Sequence, residues 1–180
     1  MKVFISCSIF LAAIILISVL GITTLRSANE DFAHFYSNKF VPVSQLNSIM
    51  IDFLHIRVNM GIEQAAAEQN DWALVNKGIE ESKKYGAEYQ DLWKKFKATS
   101  MNKEEKALAE EFEKIVVPIR NVRGEFQKSL EARNLKMSKM YLDKWMDGFT
   151  ELEAHTRKMI QYQVDFGKKM MDQQTSDYTS

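Results

Sequence analysis

One arginine stands where arginine is costly. Apolar residues recur at Val43, Leu46, Met50, Phe53 and Met60, and the same three- and four-residue steps land on Arg57. A guanidinium on a buried stripe needs an anion, an acceptor or water. Arg57 lies about twelve residues before the break at Asn70-Asp71, roughly 18 Å along a helix. Counting a similar distance along the later segments brings Ser82, then Arg120 and Arg123, then Trp145 to Phe149, to the same level. Arg57 and Arg123 together would suit a carboxylate, which a guanidinium grips in bidentate fashion. Trp145 and Phe149 would wall such a ligand, with Ser82 beside it. A plainer alternative stands for each. Arg57 can lie at the edge of the stripe with its stem over apolar neighbours, Arg123 can pair with a nearby acid, and both aromatics can be ordinary core.

Other chemistry is thinner. Asp31 with His34 and Asp52 with His55 share an Asp-x-x-His spacing that puts both groups on one helix face. Both pairs fall on one helix and away from the apolar stripe, whereas a di-iron bundle needs Glu-x-x-His on two helices plus further glutamates. His155 has Glu151 four residues before it, again without a full ligand set. Thr156 and Gln163 sit on an otherwise apolar stripe. The methionines of the last segment suit an adaptable core. No nucleophile with an adjacent base, no glycine-rich phosphate loop and no paired-carboxylate motif stands out. The expectation is a non-enzymatic protein with no metal and no cofactor.

Four amphipathic helices must position these residues, at about 27–69, 72–98, 103–133 and 136–174. The first carries Phe32 and Tyr36 ahead of its main stripe, and Pro42 should either kink it or restart it from the first turn. Asn70 or Asp71 can cap the second. Asn102 with Glu105 has capping-box spacing for the third, where Pro118 predicts a bend. Residues 175–180 are read as a polar, frayed tail. Short connections make this an all-α, antiparallel up-down-up-down bundle. Its outer helices are the longer pair, and the turns after Gln69 and Arg133 lie at its far tip.

Ahead of the bundle, Val3–Leu25 carries no charge and is flanked by Lys2 and Arg26. As a helix it would span about 35 Å, enough for a hydrocarbon core of about 30 Å. It outlasts a signal-peptide core and lacks a small-x-small exit, so residues 1–25 read as an uncleaved anchor, with Cys7 in lipid. Lys2 favours a cytoplasmic amino terminus, which places residues from about 26 onward across the membrane from the cytoplasm. Seven glycines and two prolines in 180 residues are too few for an all-β fold. A formal charge of zero suggests no nucleic-acid partner. With its single Cys inside the apolar segment, the rest of the chain has no disulfide framework and no thiolate metal site.

The plan resembles the four-helix-bundle sensor domain of bacterial methyl-accepting chemotaxis receptors, over essentially the whole chain. The likeness is sharpest in Pro42-Val43-Ser44-Gln45-Leu46-Asn47-Ser48-Ile49 and in Ile56-Arg57-Val58-Asn59-Met60. Enteric aspartate receptors have a similar Arg-Leu-Asn-Leu run whose arginine helps hold the ligand, and Arg57 matches it. The next two ligand arginines of that family would fall on Ile62 and Ala66. The Pro-Thr ligand motif has no counterpart, the nearest stretch being Lys144-Trp145-Met146-Asp147. The resemblance implies a homodimer with the first helices paired. It implies a small, anionic organic or amino-acid ligand near the subunit boundary, met directly or through a periplasmic binding protein. It further implies a small shift of the fourth helix on binding, passed through the membrane. Such receptors continue into a second membrane helix and a signalling coiled coil, so the chain is expected to be the amino-terminal part of a longer receptor. The same bundle on a histidine kinase or a diguanylate cyclase, and a singly anchored helical interaction protein, stand as alternatives.

Overall fold

The structure is a computed structural model. It describes the backbone of residues 2–179, and their side chains apart from those of residues 2–10, 12, 13, 34, 38, 39, 174, 175 and 177–179. All regular structure among the described residues is helical. Helix α1 is Lys2–Phe35, a π-helical turn covers Tyr36–Phe40, and α2 is Val41–Glu68. Helices α3 (Trp72–Lys97), α4 (Lys103–Glu131) and α5 (Leu135–Thr179) follow. Residues 1–38 and 39–180 form two compact units.

In the first unit, residues 14–22 of α1 expose apolar side chains all round. Ile14, Ile15, Leu16 and Ile17 are consecutive, and each is half exposed or more, so no single face gathers the apolar side chains. No helix among the described residues is long and apolar enough to cross a membrane. The side chains of Val3–Phe10, the first part of the expected anchor, lie outside those residues, and so does Cys7. Phe32 and Tyr36 are 65% and 49% exposed. The buried stripe expected from Phe32 onward therefore starts only in α2, after the π-helical turn.

The second unit is the four-helix bundle of α2 to α5. Pro42 stands in the first turn of α2, where its missing N–H is no loss. Of the two outcomes left open for Pro42, this is the restart. Helix α4 runs through Pro118 without interruption. Helix α5 runs on to Thr179 rather than fraying from residue 175; no glycine or proline follows Gly167 to break its backbone ladder.

The caps are local and specific. Asp71 accepts from the Leu74 amide at 3.1 Å. Asn102 and Glu105 complete a capping box: the Glu105 amide donates to Asn102 Oδ1 at 2.9 Å, and the Asn102 amide donates to Glu105 Oε2 at 2.6 Å. Asn134 caps α5 through the Met137 amide at 3.1 Å. Asn70 and Arg133 take up left-handed conformations, with φ of 60° and 54°. They close the turns at the tip, where the Arg133 guanidinium lies 4.7 Å over the Trp72 ring.

Backbones come closest between α2 and α3, α4 and α5, and α2 and α5. Helices α3 and α4 meet mainly through large side chains. An aromatic ladder ties them to α2: Phe53 packs on Tyr89 with ring centres 4.5 Å apart, and Trp93 on Phe112 at 4.2 Å. Trp93 Nε1 also donates to Glu113 of α4 at 3.0 Å. This ladder holds the two helices that the backbone leaves apart. Phe112 is fully buried within it, so Phe112→Ala is expected to cost about 3–5 kcal/mol. Asn102→Ala, which removes only a cap, should cost about 1 kcal/mol. Denaturant unfolding of the full chain in detergent micelles measures both; equal small losses would take the ladder out of its central role.

Candidate functional site

Helix α3 carries Gly78, Ser82 and Gly86 at four-residue steps, which puts all three on one face. Each glycine makes room for a charged side chain from a neighbouring helix. A Cβ at Gly78 would stand 2.6 Å from Glu63 Cγ of α2. A Cβ at Gly86 would stand 2.6 Å from both terminal nitrogens of Arg123 of α4. Ser82, between them, engages both. Its hydroxyl donates to Glu63 Oε1 at 2.6 Å, and its carbonyl accepts from Arg123 Nη1 at 3.2 Å. A carboxylate from α2 and a guanidinium from α4 are thus bridged through one residue of α3.

The two charges are unequally placed, Glu63 fully buried and Arg123 half-buried. The Oε2 of Glu63 has no hydrogen-bond partner among the described residues. Burial pushes its carboxyl up to about 7, against the opposing pull of the Ser82 hydroxyl, Arg123 and Lys83. Arg123 has five N–H donors to place, and the Ser82 carbonyl takes one. Burial holds its guanidinium below the usual arginine range, with Tyr89 and Glu63 acting the other way. Beside it is a cavity of about 10 Å3 lined by Tyr89, Arg120, Arg123 and Trp145 together with apolar side chains, room for about one water. Arg120 is exposed and lies close enough to the Tyr89 hydroxyl to oppose the rise that burial imposes on it.

The residues singled out in the sequence fall into two groups. Ser82 and Arg123 are joined directly, and Trp145 lines the cavity with Arg123. Trp145 and Phe149 are both core, stacked 5.2 Å apart. Arg57 stands apart from Arg123. It is exposed, with its guanidinium 5.2 Å over the Phe149 ring, and it does not line the cavity. The buried position on its stripe belongs to Ile56, so Arg57 takes the edge position with its stem over apolar neighbours.

Asp52 also departs from expectation. It is buried rather than turned away from the core. Burial, with Glu88 nearby, pushes its carboxyl up to about 6, against a smaller effect of His55. His55 stacks on Tyr85 at 4.4 Å instead of joining Asp52 as a ligand pair, and the His34 side chain lies outside the described residues. His155 Nε2 lies 2.8 Å from the Leu108 carbonyl, so that nitrogen carries the hydrogen, and Nδ1 lies 3.6 Å from Glu111. With Glu151 it borders an open groove of about 500 Å3 between α4 and α5. No three His, Cys, Asp or Glu among the described residues are placed to hold a metal. Thr156 is buried and returns its hydroxyl to the Leu152 carbonyl at 2.7 Å, while Gln163 is buried with Oε1 unpaired.

Glu63, Asp52 and Tyr89 were missed as site residues. Glu63 did carry a signal: it continues the Ile49, Ile56 seven-residue step, opposite two glycines on α3. Asp52 had less, since its spacing fits a solvated face as well as a buried one.

The sequence model of a family described as a four helix bundle sensory module for signal transduction matches residues 1–178. The chain belongs to this family, a sensory module of the kind carried by chemotaxis receptors, and the family is a signalling one rather than a catalytic one. Its members are typically extracytoplasmic parts of membrane receptors. No curated protein matches the chain.

The buried acids fix how stability depends on pH. Glu63 ionises near 4.5 in the unfolded chain and near 7 in the folded one. Between those values the folded state keeps a proton that the unfolded state has lost, so stability is complete below about pH 4.5 and falls as pH rises to about 7. The loss is on the order of 3 kcal/mol, and Asp52 acts in the same direction at lower pH. Thermal unfolding of the full chain between pH 4 and 8.5 should show this decline, and Glu63→Gln should remove most of it and melt higher than wild type at pH 8. An unchanged slope in Glu63→Gln would contradict the assignment.

Proposed function

We propose that the chain is the extracytoplasmic sensor of a membrane chemoreceptor and that it binds a small organic or amino-acid anion at Arg123. The observation that carries this reading is the half-buried Arg123 guanidinium, held by one carbonyl and lining a cavity with Tyr89, Arg120 and Trp145. A cation with spare donors beside an aromatic wall suits a carboxylate better than a neutral molecule. Trp145, backed by Phe149, forms the wall; Ser82 holds the arginine; Arg120 receives the ligand from outside. The cavity is smaller than an organic acid, so entry requires α3 and α4 to part where only side chains join them.

The receptor works as a homodimer. Ile51, Leu54, Val58 and Ile62 lie on one face of α2, and each is between 39% and 59% exposed. An apolar stripe of that kind on a soluble helix calls for a partner, and a second copy would pair it with the same stripe. Arg57 adjoins Val58, so it stands at the rim of that interface and covers Phe149. Val3–Leu25 anchors the chain in the inner membrane. Displacing α4 against α5 at Arg123 would be passed down α5, the longest helix, as a small discrete shift.

A thermal-shift screen of the full chain in micelles tests this, using amino acids, dicarboxylates, tricarboxylates and aromatic acids. A true ligand at a hundred times its Kd stabilises by about 2.7 kcal/mol. Arg123→Ala should abolish the shift, and Arg57→Ala should leave most of it. A shift kept in Arg123→Ala and lost in Arg57→Ala would move the ligand to the subunit boundary. No shift with any acid would favour recognition through a binding protein.

A further inference from the structure

The Glu63 carboxyl and the ligand site lie on either side of Ser82 and face the same cation. Glu63 has no contact with the cavity, so ligand chemistry alone does not account for it. A carboxyl buried completely, seated on a glycine and left with one oxygen unpaired is costly at any pH where it is charged. A glutamine of the same shape would accept from Ser82 equally well and carry no such cost. The one property that glutamate has and glutamine lacks is a proton to lose.

The geometry points to Glu63 as a proton-binding site that sets the position of Arg123, so that this bundle responds to protons as well as to its ligand. The charged groups facing Glu63 are Lys83 from α3 and Arg123 from α4; Ser82 is its hydrogen-bond donor. Lys83 is exposed and can turn to water. Arg123 is half-buried, already rests on Gly86, and gives one donor to the Ser82 carbonyl. When Glu63 loses its proton, the bare Oε2 is left in a medium of low polarity, and the Arg123 guanidinium is drawn toward it along the Gly78, Ser82, Gly86 face. Gly78, Ser82 and Gly86 leave a channel of small side chains between Ile79 and Tyr89. Arg123 then withdraws from Tyr89 and Trp145. When Glu63 is protonated, the attraction ends and Arg123 returns to the cavity. No covalent bond changes; one proton passes between the carboxyl and solvent.

The two arrangements move α4 relative to α2 through the same arginine that the ligand would hold. Protonation and ligand binding therefore favour the same position of Arg123. The proton site itself does not depend on the ligand reading, since it exists in the ligand-free protein.

Carbon-13 NMR of glutamate carboxyls, with nitrogen-15 NMR of arginine side chains, tests the proposal on the ligand-free full chain in micelles. One Glu carboxyl should titrate near pH 7, well above the others, and vanish in Glu63→Gln. The Arg123 Nε resonance should shift with the same midpoint in wild type and in Asp52→Asn, and stay flat in Glu63→Gln. The proposal is overturned if no Glu carboxyl titrates above about pH 5.5. It is equally overturned if the Arg123 resonance titrates unchanged in Glu63→Gln. Ser82→Ala keeps both charged groups, so a loss of coupling there, with the fold intact, would place the bridge at its hydroxyl.

Discussion

A buried carboxyl and a half-buried guanidinium, set on either side of one serine, constrain the middle of this bundle. Glu63 comes from α2, Arg123 from α4, and α3 separates them with Gly78, Ser82 and Gly86. A buried ion pair in direct contact contributes its attraction against a large desolvation cost. Here the two are held apart by Ser82, so the attraction is weakened while the desolvation remains. The arrangement is poorly suited to stability alone and well suited to a structure with two positions of similar energy.

The rest of the bundle makes that tension tolerable. The aromatic ladder of Phe53, Tyr89, Trp93 and Phe112 lies toward the connection between α3 and α4, and the stacked Trp72 and Arg133 close the opposite end. Between these two fixed points α3 and α4 are joined by side chains, so a change at Arg123 can be absorbed without unfolding. Helices α4 and α5 are packed closely along their backbones, which gives a displacement of α4 a direct route into α5. The proposed sensing would use this layout: fixed ends, a middle joined by side chains, and one long helix to carry the result.

The helices were legible in the sequence because each rests on local chemistry. Asn102 with Glu105 and Asp71 each fix a helix start through bonds within a few residues, and Pro42 does so through its fixed φ. Core residues such as Leu46, Phe112 and Trp145 followed from spacing. The first helix was read as unbroken from residue 27, since nothing in Tyr36–Phe40 marks a π-helical turn. The site was only partly legible. Arg123 and Ser82 were found as neighbours at one level, but Ser82 was matched to Arg57 when its partner is Glu63. Levels counted from a turn assume equal rise and no offset between helices, and an offset of a turn or two exchanges one partner for another. Asp52 was placed on the solvent face because a charge usually belongs there; the burial of a carboxylate depends on a neighbouring helix that spacing does not supply.

The coupling between Glu63 and Arg123 is the most direct test. A double-mutant cycle with Glu63→Gln, Arg123→Gln and the double variant, unfolded at pH 8 as full chains in micelles, isolates it. The bridge through Ser82 predicts an interaction of about 0.5–3 kcal/mol beyond the sum of the single changes, and one that vanishes at pH 5, where Glu63 is neutral. Simple additivity at pH 8, or a coupling of the same size at both pH values, would contradict the bridge and the switch built on it.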